Sequence, residues 1–182
     1  MENESAVAVA VPQDFGLAVS RDPKAVIAEA KRAADSLKSI LEAKPKDTWV
    51  MMNGERYLEY EDWATVAKFY GVTAKVISTL PVEFGGVRGW EARAVAFHAQ
   101  TGVEISAADS MCLNDEDKWS MRPKYEWKNN KKERVGEVAV PSFQLRSMAQ
   151  TRACAKVLKN VFSWVVVLAG FKPQVAEEMT GN

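Results

Sequence analysis

The longest stretch of helical periodicity in the chain lies near its end. Placed at roughly 100° per residue, Phe143, Cys154, Val157, Leu158, Val161, Val165 and Leu168 gather on one side of Ser142 to Leu168. Arg152, Lys156 and Lys159 form a stripe on the opposite side, and Arg146 lies off it. The spacing predicts a long helix with its apolar face on a sheet and a row of cations turned outward. Its last two turns, WVVVLAG, are apolar nearly all round and are expected to be deeply buried or packed against another chain. Near the other end, Val26, Ile27, Ala30, Ala34, Leu37, Ile40 and Leu41 recur at helical spacing. Asp22-Pro23 supplies the N-cap and first-turn proline, and Lys44-Pro45 the stop.

Between these helices the period changes. Asn53-Gly54 stands between the β-prone runs TWVMM and ERYL and predicts a tight hairpin. Trp63, Val66, Ala67 and Tyr70, stopped by Gly71, predict a short amphipathic helix. Three strand-like segments follow, Val72-TAKVISTLPVEF, Trp90-EARAVAFHA and Val103-EISAADSMC, parted by Gly85-Gly86 and by Gln100-Thr101-Gly102, and they read as an antiparallel meander. By the two-residue alternation Thr73, Lys75, Ile77 and Thr79 share one face, as do Glu91, Arg93, Val95 and Phe97. That leaves Lys75 and Arg93 on the sheet surface. Asn114 to Val138 has no apolar periodicity and is expected to be a long loop, functional or disordered.

The fold class is therefore α+β: a three-stranded antiparallel meander packed on a long helix, with an extra N-terminal helix and hairpin. The expected organisation is a flexible N-terminal arm over 1–21, the helix over 22–44, a core domain over 47–172 and a short C-terminal tail over 173–182. At 182 residues and 47% hydrophobic the chain can build one real core. Its apolar run Val161 to Phe171 is 11 residues, against the roughly 20 that span a bilayer. MENESAVAVAVPQ has no basic n-region, so no signal peptide and no membrane are expected. Cys112 and Cys154 have no metal-ligand or CxxC spacing and are expected to be buried thiols in a cytoplasmic, reducing setting. The single His98 falls in a strand and is expected to be a satisfied sheet residue.

Charge changes the picture most. The chain is neutral overall, yet Lys118 to Lys159 holds eleven basic and three acidic residues, net +8, so the remainder carries −8. In the expected loop Trp119, Tyr125 and Trp127 are interspersed with basic residues, and Lys128, Lys131, Lys132 and Arg134 of the same loop are the candidate contacts. Single-stranded nucleic acid calls for that combination, cations for phosphates and flat rings for unstacked bases. A solvated loop whose rings tuck onto the core is the plainer alternative.

The order helix, meander, basic loop, long helix resembles the β-β-β-α core of the Rad52-type single-strand annealing proteins, whose phage members serve recombination. The resemblance covers Tyr57 to about Gly170 and rests on Tyr57-LEYEDWATVAKFYG, on the meander with Gly85-Gly86, and on Arg152-ACAKVLKN. Where that family has two adjacent basic residues on its long helix, Ala155-Lys156 keeps only the second, and Lys159 keeps the final cation. The resemblance implies an ATP-independent protein, phage-encoded or bacterial. It would form a ring or partial ring, lay single-stranded DNA in a basic groove with bases exposed, and pair it with a complementary strand. It places Lys156 and Lys159 in that groove. The helical wheel adds Arg152, and the sheet adds Lys75 and Arg93. A host single-strand-binding protein is a candidate partner.

No catalytic side chain and no cofactor are called for, and no GxxxxGKS or GxxxxGKT motif is present for an ATP-using strand exchanger. Two other classes compete. A metal-dependent nuclease would draw on Glu104, Asp109, Glu116, Asp117 and Lys118, although Glu104 and Asp109 fall on opposite faces of one strand. A structural oligomer without nucleic acid would use the sticky first helix and WVVVLAG.

Overall fold

Asp22 accepts hydrogen bonds from the Lys24 and Ala25 amides and starts α1, Pro23–Ala43. This is the first element of a computed structural model that describes residues 21–128 and 130–179. The expected arm over 1–21 lies outside the described residues except for Arg21. The Asn53-Gly54 turn, at φ 53 and φ 76, joins β1, Val50–Met52, to β2, Glu55–Tyr57. These two left-handed residues match the right-handed twist of the strands, as the sequence predicts. Glu59 and Asp62 form a capping box that opens α2, Tyr60–Phe69. Lys44 pairs with the buried Asp62 and ties the end of α1 to the start of α2.

The meander is present as β3 (Val72–Phe84), β4 (Val87–His98) and β5 (Glu104–Leu113), antiparallel in the order β3-β4-β5. Gly89 leaves no room for a side chain where β4 runs beside β5, since a Cβ there would stand 2.2 Å from the Cys112 carbonyl oxygen. Alternation sends Ala92, Ala94 and Ala96 inward and Glu91 and Arg93 outward. One expectation fails in β3. A bulge between Val76 and Ser78 shifts the register, so Ser78 rather than Ile77 stands opposite Arg93 and Thr79 stands opposite the buried Ala92. Thr79 thereby turns inward and accepts a hydrogen bond from Gln150 at 2.9 Å. His98 ends β4 with its Nδ1 3.3 Å from the Thr101 hydroxyl.

The expected long loop over 114–138 is instead structured. A single turn, α3 (Asp117–Ser120), leads into β6 (Met121–Lys128) and β7 (Lys131–Ala139), an antiparallel hairpin. Every described residue of both strands is exposed. Met121, Tyr125 and Trp127 do alternate with Arg122, Lys124, Glu126 and Lys128, but Pro123 interrupts the run and β7 has no matching apolar alternation, so the strand signal is weak.

The long helix α4, Ser142–Leu168, has the expected limits. It lies between two neighbours rather than on one: β3, β4 and β5 cover one side and α1 and α2 the other. Burial is consequently almost all round from Arg152 to Leu158. The one-sided apolar face expected from the wheel is corrected at both ends, because Phe143 and Leu168 are exposed. In WVVVLAG, Val165 and Val166 are buried, whereas Trp164, Val167 and Leu168 are exposed. The core joins Leu37, Leu41, Leu58, Trp63, Val66, Val157, Leu158 and Val165. Cys112 and Cys154 are buried free thiols, and burial pushes Cys112 up to about 12. The tail returns to this core, with Val175 buried in a parallel bridge to Leu58 and a short 3-10 turn over Ala176–Glu178. Among the described residues no helix is long and apolar enough to cross a membrane.

Candidate nucleic-acid interface

Basic side chains are distributed over three separate places. On α4, Arg152 corrects the outward stripe: it is only 6% exposed. Its Nη1 and Nη2 donate to Glu116 Oε1 and Oε2 at 2.8 and 2.6 Å, a bidentate pair. Nη1 also donates to the Met111 carbonyl at 2.8 Å, and Nε to the Glu177 carbonyl at 2.7 Å. Burial alone would raise the Glu116 carboxyl, but the hydrogen bonds from Arg152 and from the Leu113 amide outweigh it and hold the group below its ordinary value. Burial likewise opposes the guanidinium charge, and Glu116 more than offsets it. Arg152 is thus a structural clamp joining α4, β5, the turn before α3 and the tail.

Lys156 and Lys159 stay nearer the surface, yet both face the tail, with Glu178 3.6 Å from the first and 3.9 Å from the second. One carboxylate sits between the two cations. Lys75 and Arg93 are exposed on the sheet face opposite α4, and Arg93 pairs with Asp109 at 2.9 Å. The sheet lies between them and the α4 lysines, so the structure does not bring the two sets together.

The third place is the β6–β7 hairpin. Its register sets Tyr125 opposite Arg134 and Trp127 opposite Lys132. Directly paired residues of an antiparallel ladder share a face, so two rings and two cations line one side. A bulge between Lys124 and Tyr125 keeps the inner and outer halves of that face in phase. Lys132 Nζ sits 4.6 Å from the Tyr125 ring centre. Trp127 is 75% exposed and Tyr125 48%, whereas Trp119 packs against the core, as the plainer alternative would have all three do. Arg134 is held by Glu137 at 2.7 Å and Lys124 by Glu126 at 3.1 Å. Such exposed pairs are worth about 0–1 kcal/mol and yield readily to a phosphate. Lys128 and Lys131 face each other at the tip of the ladder, on the side opposite the rings.

Where the hairpin meets α4, its reverse face runs on to the helix. Arg122 donates to Gln144 at 3.3 Å, and Phe143 is exposed. The Arg146 guanidinium lies 5.6 Å from the Trp90 ring centre. The wheel left Arg146 aside because it treated α4 alone, and only the packing of β4 against the start of α4 reveals the pair. The carboxylates of the nuclease alternative are spread out: Glu116 is held by Arg152 and Asp109 by Arg93. Among the described residues no three His, Cys, Asp or Glu side chains form a group suited to a metal. Comparison of the chain with family models, with curated proteins and with solved structures finds no match.

Proposed function

We propose that this protein binds single-stranded DNA and, as a ring or partial ring, anneals complementary strands without ATP, in recombination. The observation that carries the reading is the hairpin face on which Tyr125 pairs with Arg134 and Trp127 with Lys132. Stacking holds a base by its flat side, which leaves its Watson–Crick edge free to test a second strand. Base–aromatic stacking is worth about 1–3 kcal/mol per base and is indifferent to sequence. Neutralising phosphates releases counterions and lowers the repulsion between two approaching strands. No side chain has to make or break a covalent bond. A host single-strand-binding protein remains a candidate partner on this reading.

Assembly is supported by exposed apolar surface. Trp164, Val167 and Leu168 at the end of α4, and Ile77, Leu80 and Phe84 on β3, are exposed, and among the described strands neither β3 nor β5 has a partner on its outer edge. The same surface also favours the second reading, an oligomer that binds no nucleic acid. An annealing assay with donor- and acceptor-labelled complementary strands separates the two. The proposed function requires annealing accelerated well above the protein-free rate with no nucleotide added. Light scattering that shows large assemblies while annealing stays at the protein-free rate would select the structural oligomer.

A further inference from the structure

A groove of about 580 Å³ lies between the β3–β4 hairpin, the foot of the β6–β7 hairpin and the start of α4. We propose that it takes one unpaired nucleobase of the bound strand, stacked on Trp90; this rests on the single-strand reading above. Val82, Val140 and Leu145 give the groove apolar walls, and Trp90 gives it a flat one. The indole is held at its edge and on one face: its Nε1 donates to the Ser142 hydroxyl at 2.8 Å, and the Arg146 guanidinium lies over the ring 5.6 Å from its centre, so a base would stack on the opposite face. A clamped indole has little rotamer freedom left to lose when a base settles against it. The size falls within the 300–1,000 Å³ of ordinary small-ligand sites.

Donors stand at the rim for an anionic backbone and for base carbonyls. Arg88 is exposed and its only ion partner among the described residues is Glu83, at 3.2 Å and also exposed. Asn114 accepts from the Arg88 amide through its Oδ1, at 2.8 Å, which turns its amide nitrogen away from that contact. Continuity with the hairpin decides the occupant. Ala139 lines the groove and pairs with Met121, two steps along the ladder from Pro123 and four from Tyr125. It therefore shares the face of Tyr125 and Trp127, while Arg122, on the reverse face, leans toward Gln144. A strand that stacks on Trp127 and Tyr125, about 7 Å apart, meets the groove roughly 13 Å further along. The groove would hold one base out of the annealing register and so fix the position of the strand on each subunit.

The test uses the full-length chain and an oligo-dT strand with a single 2-aminopurine moved position by position, read by anisotropy and by 2-aminopurine quenching over a salt series. Trp90→Leu removes the platform. Ala139→Trp fills the groove from an exposed position and serves if Trp90→Leu fails to fold. Both are expected to bind about tenfold more weakly, or about 1.4 kcal/mol, and to lose the strongly quenched position. Their salt slope should equal that of the wild type, because no phosphate contact is removed. Trp90→Phe should stay within about twofold. Wild-type binding with both variants unchanged in affinity and quenching overturns the groove and leaves the hairpin reading standing. So does a change in assembly mass in place of affinity, which would make the groove a contact between copies. No binding by the wild type overturns the groove together with the reading beneath it.

Discussion

Replacing Arg152 by Met distinguishes a clamp from a groove cation. In the structure the guanidinium makes four hydrogen bonds, two to Glu116 and one each to the Met111 and Glu177 carbonyls. Methionine retains much of the stem but leaves Glu116 with only the Leu113 amide, at 2.8 Å. Removing one partner of a buried ion pair costs about 3–5 kcal/mol. At a urea m-value of about 2 kcal/mol/M, that moves the unfolding midpoint down by roughly 2 M. Adding Glu116→Gln should recover part of the loss, since the stranded charge is then gone, and a double-mutant cycle measures how much. Salt dependence of strand binding, measured where the variant is still folded, should be unchanged. A variant as stable as the wild type, with a salt slope shallower by about one, would refute the clamp and return Arg152 to the outward stripe.

Glu178→Gln frees Lys156 and Lys159 from their shared carboxylate, and anisotropy at low salt should show strand affinity rising by roughly two- to threefold, in keeping with the few tenths of a kcal/mol of a surface pair. The β6–β7 hairpin has no buried face, and two-stranded hairpins alone are marginal in water. Hydrogen exchange should therefore find its amides opening orders of magnitude faster than those of β4, with protection rising when oligo-dT is added. The Glu116 carboxyl is held below its ordinary value, so its stabilisation is complete above about pH 4.3 and is lost as pH falls through the lower folded value. Glu59 and Glu177 are raised by burial and act in the opposite sense, favouring the folded state below that pH and losing the advantage as pH rises through their folded values. Urea midpoints should accordingly show the gap between wild type and Glu116→Gln closing below about pH 4.

The first two helices and the meander were legible because each buries one face, and α4 because its apolar residues recur at helical spacing. Asp22-Pro23 and Lys44-Pro45 bracket α1 to within a residue, and Gly85-Gly86 and Gln100-Thr101-Gly102 fall at the turns of the meander. What stayed hidden depended on third neighbours. The wheel put Arg152 outward because a single helix does not show that α1 and α2 will cover its other side. The bulge at Ile77 turned Thr79 inward, and strict alternation has no means of announcing it. The β6–β7 hairpin was hidden for the opposite reason, since it packs against almost nothing. The alternation of Met121, Pro123, Tyr125 and Trp127 with charged residues, followed by Asn129-Asn130, was the local hint, and the proline within it spoke against a strand. Composition marked the segment now proposed as the interface, and the register supplied what composition could not, namely which rings and cations share a face.

Anisotropy of a labelled oligo-dT strand against the wild type and a Tyr125→Ala/Trp127→Ala double variant, over a salt series, tests the hairpin face most directly. Wild-type binding should be micromolar or tighter and weaken steeply with salt, and the double variant should bind at least tenfold more weakly with the same slope, since rings and not phosphate contacts are lost. Absence of binding at low salt, or a double variant indistinguishable from the wild type, would contradict the hairpin reading.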